Sequence, residues 1–163
     1  MSILLPDMLI SKITDISIET LKQRNIKGLL LDVDNTLSTH GGQKPLEGLL
    51  EWIGHMKSCG IKLIILSNAT LKRVEPFAKK IGLDHISVAL KPLAFGYLRG
   101  LKALDLKAKE VAMVGDQLFT DILGANIVGI FTIKVEPISP ESGISFIIRR
   151  WLEEKILKRK LKG

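Results

Sequence analysis

Four runs of apolar residues, each breaking off abruptly in polar ones, constrain this chain more than any other feature. The first is Gly28-Leu29-Leu30-Leu31, which ends in Asp32-Val33-Asp34-Asn35-Thr36-Leu37. A strand buried on both faces reads as a continuous apolar run, and such strands belong to parallel sheets covered by helices. In open sheets of that kind ligands bind outside the carboxyl ends of the strands. Two acids at such a place are costly unless something pairs with them. A plain polar turn is the bland reading of Asp-Asn-Thr, so the other strand ends decide the matter.

Lys62-Leu63-Ile64-Ile65-Leu66 ends in Ser67-Asn68. Lys91 stands between the apolar segment Ile86 to Leu90 and Pro92, and Pro is favoured at a first helical position, so a helix is expected from residue 92. Val111-Ala112-Met113-Val114 ends in Gly115-Asp116-Gln117-Leu118-Phe119-Thr120-Asp121. Alone, Ser67 reads as a cap and Lys91 as a surface cation. Together the four endings resemble, in order, the four motifs of the haloacid dehalogenase superfamily, with D-x-D-x-T first and G-D-x-x-x-x-D last.

The resemblance implies a phosphatase that forms an aspartyl-phosphate. Asp32 would be the nucleophile and Asp34 the general acid and base, while Lys91 would neutralise charge on Asp32 and a phosphoryl oxygen. Ser67, Asn68 and Thr36 are the expected substrate-binding residues. Mg²⁺ is the expected ion, held by the Asp32 and Asp116 carboxylates and the Asp34 backbone carbonyl, with Asp121 contributing through water or from further out. The chemistry suits these residue types. Phosphoryl transfer depends mainly on positioning and electrostatic stabilisation, and a hard cation offsets the repulsion between carboxylate and phosphate. Asp34 must begin protonated to protonate the leaving group, so crowding by other carboxylates is expected to raise its pKa.

The order of segments predicts an α/β, doubly wound, Rossmann-like parallel sheet with helices on both faces, forming one domain over residues 1–163. Strands are expected near 28–32, 62–67, 86–89, 111–114 and 130–135. Helices are expected near 18–24, 46–59, 70–81, 92–104 and 117–126. An N-terminal helical extension covers about 1–26, and a basic helix covers about 144–163. The short connections between motifs leave no room for a cap domain, so the site should be open and suited to a large substrate. Residues 37–45, with Gly41-Gly42, read either as a flap beside Asp32 or as a surface turn.

At 46% hydrophobic and 25% charged the chain has the composition of a folded soluble protein. It shows neither a signal-peptide pattern nor a bilayer-length apolar stretch, so a cytoplasmic location is expected, with peripheral attachment at the inner leaflet left open. Cys59 reads as a small core residue, and His40, His55 and His85 as structural or surface residues. The net charge of +7 is mostly terminal: residues 149–163 carry seven basic side chains against Glu153 and Glu154. Ile144, Ile147, Ile148, Trp151, Leu152 and Ile156 share one side of a helix. That side is expected to dock on the sheet, leaving the terminal residues as the candidate membrane contact; a basic amphipathic helix lying on an anionic membrane is the alternative.

Over nearly its whole length the chain resembles the YqeG family of short, uncapped phosphatases, which is similar to the mitochondrial phosphatidylglycerophosphate phosphatases. Leu4-Leu5-Pro6-Asp7, Ile26 to Leu37, Ser67-Asn68, Lys91-Pro92, Gly115 to Asp121 with Gly124-Ala125-Asn126, and the basic C-terminus carry the likeness. The resemblance implies a lipid head group as substrate. Ser38-Thr39-His40-Gly41-Gly42 departs from the more acidic or aromatic flap expected there. A soluble phosphatase of a nucleotide, sugar phosphate or phosphoprotein is the alternative. An RNA- or ribosome-associated protein is a further one, disfavoured because the chain offers no aromatic stacking platform for nucleic acid.

Overall fold

Parallel strands need crossover connections, and here those connections are the helices that bury the sheet. A computed structural model describes residues 2–139 and 143–161, without the side chain of Lys160. The strands are β1 (Met8–Ile10), β2 (Gly28–Leu31), β3 (Lys62–Leu66), β4 (Asp84–Ile86), β5 (Val111–Gly115) and β6 (Phe131–Val135). All pair in parallel, in the order β1-β6-β5-β2-β3-β4. The helices are α1 (Ile18–Gln23), α2 (Leu49–Ser58), α3 (Leu71–Ile81), α4 (Ala94–Leu104), α5 (Leu123–Val128) and α6 (Ile144–Leu161).

Alternate side chains of each central strand enter separate cores, as the two-residue period of a strand requires. Leu29, Leu31, Ile65 and Val114 pack with α1, α2 and α3 on one face. Leu30, Ile64, Leu66 and Met113 pack with Tyr97 and Leu104 of α4 and Ala125 of α5 on the other. The sheet is therefore the doubly wound, helix-covered one expected. From β2 the chain winds outward through β3 and β4, then returns to β5 on the other side. The boundary between β2 and β5 is the switch point at which α/β sheets bind ligands, and the Asp32 N–H donates to Val114 O across it at 3.0 Å.

Several boundaries differ from expectation. The N-terminal extension is not simply helical, because Met8–Ile10 forms the edge strand β1, tied to β6 by hydrogen bonds between Asp7 and Thr132. β4 ends at Ile86, and Val88 and Leu90 adopt left-handed backbone, φ 47° and 59°. That conformation breaks the expected strand over 86–89. Pro92 does not open a helix: α4 starts at Ala94 with Leu93 as its N-cap. The helix expected over 117–126 is a π-helical turn, Leu118–Ile122, followed by α5. Residues 162 and 163, at the end of the expected basic helix, lie outside the described residues.

The largest difference is the orientation of α6. Most of its apolar stripe does not pack on the sheet: Ile144, Ile147, Ile148, Trp151 and Leu152 are exposed and Ile156 is half-buried, whereas Glu153, on the opposite side, is buried. No described helix is long and apolar enough to cross a membrane.

Candidate active site

The carboxyl ends of β2, β3 and β5 lie side by side, so the polar residues that follow them meet in one place. Asp32, Asp34, Ser67, Asn68 and Lys91 line a cavity of about 500 Å³, together with Arg73, His40, Phe146 and Arg149. Beneath it the carboxylate oxygens of Asp32, Asp116 and Asp121 lie within 4.8 Å of one another, all three residues buried. Lys91 Nζ donates to Asp32 Oδ1 at 2.9 Å and to Asp121 Oδ1 at 2.6 Å. The two carboxylates hold this ammonium above the usual lysine range, overcoming the burial that would lower it. Burial and the neighbouring Asp121 push the Asp32 carboxyl well above its ordinary value, with Lys91 opposing.

Gly115 makes this crowding feasible. A Cβ there would collide with the Asp121 carboxylate, so the glycine of the Gly-Asp pair gives Asp121 the space to reach back towards Asp32. Asp121 Oδ2 also accepts from the Gln117 N–H at 3.2 Å, which fixes its second oxygen. Tyr97, fully buried on α4, donates to Thr120 O at 2.7 Å and braces the same turn from the other side.

Other expected site residues are placed differently. Asp34 is not crowded by carboxylates: its Oδ1 accepts from Arg73 Nη2 at 2.9 Å and from the Gly41 N–H at 2.8 Å. Its neighbours are thus a cation and a backbone donor, the opposite of the surroundings expected from sequence. Asn68 spends its side-chain amide on Lys91, donating to Lys91 O at 3.0 Å and accepting from Lys91 N at 2.7 Å. It therefore sets the backbone from which Lys91 reaches the acids. Ser67 is buried at the cavity, with Oγ accepting from the Ala69 N–H at 3.1 Å. Thr36 does not reach this cavity. Asn35 is left-handed, φ 59°, and the turn that follows carries Thr36 to a separate cleft beside Val135 and Glu136.

The glycine-bearing segment after Leu37 is tied down rather than free. Gln43 Nε2 donates to Arg73 O, and Lys80 Nζ donates to Gln43 O. His40 stands exposed at the rim, edge-on to Phe146 with ring centroids 5.6 Å apart.

Four polar residues at the site lie outside the sequence motifs. Arg73, in the first turn of α3, pairs with Asp34 and lines the cavity. Arg150 of α6 forms an ion pair with Asp116 Oδ2 and donates to Asp116 O at 2.9 Å and to Glu153 Oε2 at 2.9 Å. Glu153 in turn accepts from the Leu118 N–H at 2.9 Å, and Arg149 donates to Gln117 Oε1 at 3.0 Å. α6 therefore docks through its polar side, on the loop that carries Asp116. The available signal was the pair Glu153-Glu154, the only acids in a basic segment.

Three converging carboxylates form a hard oxygen donor set, the kind Mg²⁺ and related divalent ions take. The residues present therefore fit a divalent metal. Buried Lys91, half-buried Arg150 and the buried Lys134 stand among four buried acids, Asp32, Asp116, Asp121 and Glu153. A further positive charge would offset the excess.

This parallel sheet, with acids at the ends of β2 and β5 and a buried lysine between them, defines a phosphatase of the haloacid dehalogenase-like hydrolases, and the chain belongs to that family. Residues 37–129 match the family's model, described as haloacid dehalogenase-like hydrolase. Among individual relatives, the "Probable phosphatase YqeG" of Bacillus subtilis is 38% identical over 153 residues, 94% of this chain and 89% of the relative. "Phosphatidylglycerophosphate phosphatase 1, chloroplastic/mitochondrial" of Arabidopsis thaliana is 29% identical over 97% of this chain, which spans 48% of that relative's length. The fold is shared with NagD from Escherichia coli, TM-score 0.59 at 15% identity over 75% of this chain and 91% of that one. It is shared also with a p-nitrophenyl phosphatase from Archaeoglobus fulgidus, TM-score 0.56 at 15% identity, 77% and 92% covered.

Proposed function

We propose that this chain is a Mg²⁺-dependent phosphatidylglycerophosphate phosphatase acting through an aspartyl-phosphate. The observation that carries the chemistry is the lysine-bridged pair of Asp32 and Asp121 at the base of an open cavity. Asp32 attacks phosphorus and the bond to the glycerol oxygen breaks; Asp34, partly exposed to solvent, takes up a proton from solvent against the pull of Arg73 and passes it to the leaving alkoxide. Asp34 then removes a proton from water, whose oxygen displaces Asp32 and releases inorganic phosphate. Splitting one displacement into two is the advantage of a covalent nucleophile. Lys91 offsets the Asp32 charge during the approach of the phosphate. Ser67 lies where its hydroxyl can donate to a phosphoryl oxygen. Arg73 holds the Asp34 carboxylate towards the cavity. Asp32, Asp116 and the Asp34 carbonyl would hold Mg²⁺, with Asp121 further out, and the ion would supply positive charge that offsets the charge on the phosphate.

The lipid substrate rests on other support. Relatives that carry this activity in their names align over almost the whole chain, and no cap encloses the cavity among the described residues. A head group still seated in a bilayer or micelle can therefore reach Asp32. The basic C-terminus favours an anionic leaflet at about 1 kcal/mol per lysine or arginine near the surface.

Phosphate release from phosphatidylglycerophosphate in mixed micelles tests this reading. Turnover well above that of glycerol phosphate, a sugar phosphate or a nucleotide is expected. Good turnover of those soluble esters with none of the lipid would favour a soluble phosphatase. Chelator should abolish turnover and added Mg²⁺ restore it, and Asp116→Ala should raise the Mg²⁺ concentration needed for half-maximal rate by about tenfold or more, since losing even an outer-shell partner of a metal ligand costs that much.

A further inference from the structure

A helix that docks through charged groups and turns its apolar side outward reverses the usual arrangement of a surface helix, in which the apolar stripe meets the core. On α6, Ile144, Ile148, Trp151 and Leu152 lie on the side away from Glu153 and are exposed, Trp151 by 58% and Ile144 by 78%. The same side continues into Lys155, Lys158 and Arg159, all exposed. Lys155 Nζ stands 5.0 Å from the centre of the Trp151 ring. Apolar residues running into basic ones, with a tryptophan at the junction, is the composition of a helix that lies in the boundary of an anionic bilayer. The inner side of this helix supplies Phe146 and Arg149 to the wall of the cavity, so a surface that holds α6 also holds the mouth of the site.

We propose that the outward face of α6 is a membrane-docking surface that inserts Trp151 and its apolar neighbours among anionic lipids. The proposal deepens the lipid-phosphatase reading and rests on it for its purpose, although docking is measurable without turnover. It also differs from attraction by the terminal lysines alone, because apolar insertion persists in salt that screens exposed charges. A second copy of this chain fits the face poorly, since it would bring the same three basic side chains against themselves.

The chain has two tryptophans, and Trp52 is buried with its Nε1 donating to Ile16 O at 3.0 Å. A change in tryptophan emission on adding lipid therefore reports Trp151. With the full chain and vesicles of phosphatidylglycerol and phosphatidylcholine in equal parts, a blue shift is expected, with quenching by bromine-labelled acyl chains. Co-sedimentation should persist in part at high salt. Ile148→Ser with Leu152→Ser keeps the reporter and should weaken vesicle binding by about tenfold or more, as expected when buried apolar area is lost, while hydrolysis of a soluble ester stays unchanged. An unshifted spectrum, equal vesicle binding by the double variant, or a dimer in sedimentation equilibrium that this variant abolishes would each overturn the proposal. Docking without lipid hydrolysis would refute the substrate and leave the surface standing. Hydrolysis in micelles without docking would do the reverse.

Discussion

Asp32→Asn is expected to reduce phosphatase activity by roughly 10⁴- to 10⁶-fold, the range seen when a covalent nucleophile is removed from a preorganised site. An amide has nearly the shape of a carboxylate but is a poor nucleophile towards phosphorus. The fold should survive, because Lys91 keeps its 2.6 Å contact with Asp121 when the 2.9 Å contact with Asp32 loses its charge. Removing one of the buried acids also lessens their mutual repulsion. Thermal melting should accordingly change little, and ³²P from a labelled ester should no longer be trapped on the protein. Full turnover with no labelled protein would exclude Asp32 as the point of attachment.

Lys91→Met should damage stability as well as rate. The ammonium is buried between Asp32 and Asp121, and deleting it leaves two buried carboxylates facing each other. Breaking a buried pair in this way costs about 3–5 kcal/mol. The effect should depend on pH in a defined direction. Burial and Asp121 already raise the Asp32 carboxyl above its ordinary value of 3.8, and without the lysine nothing opposes them. The folded variant then binds more protons than the unfolded chain between the ordinary carboxylate range and the raised value. Stability is greatest below that window and is lost as pH rises through it. Chemical denaturation at pH 5 and pH 8 should show the variant closer to the parent at the lower pH. A constant difference would mean that Lys91 contributes packing rather than charge.

The parts of this fold that the sequence made legible are those in which a single local signal decides the outcome. β2, β3 and β5 are unbroken apolar runs flanked by polar residues, and the central position in a parallel sheet permits little else. Acids at the ends of two such strands are conspicuous because burial makes them expensive. Elsewhere the deciding contacts are distant. Met8-Leu9-Ile10 is too short to announce a strand and gains its partner only from β6, more than a hundred residues on. Ile86 to Leu90 reads as strand by composition, yet the chain must turn to bring Lys91 between two acids. Asn68 reads as a ligand for substrate and instead holds the Lys91 backbone. Thr36 shares a motif with Asp32 but points to another cleft, since one left-handed residue redirects everything after it. For α6 the apolar stripe was plain and its direction was not. Periodicity locates a face, whereas the pairing of Arg150 and Glu153 with Asp116 and Leu118 determines which way it turns.

That pairing makes α6 a graft on the loop of Asp116, so trimming the C-terminus has a threshold. Cuts beyond Leu157 take away basic side chains and leave the graft in place. A cut before Ile144 also strips Arg150 from Asp116 and the Glu153 acceptor from the Leu118 N–H. A shortened chain of the second kind would bring a different acid cluster to any measurement made on it, and its rates would describe that altered cluster rather than the loss of a tail.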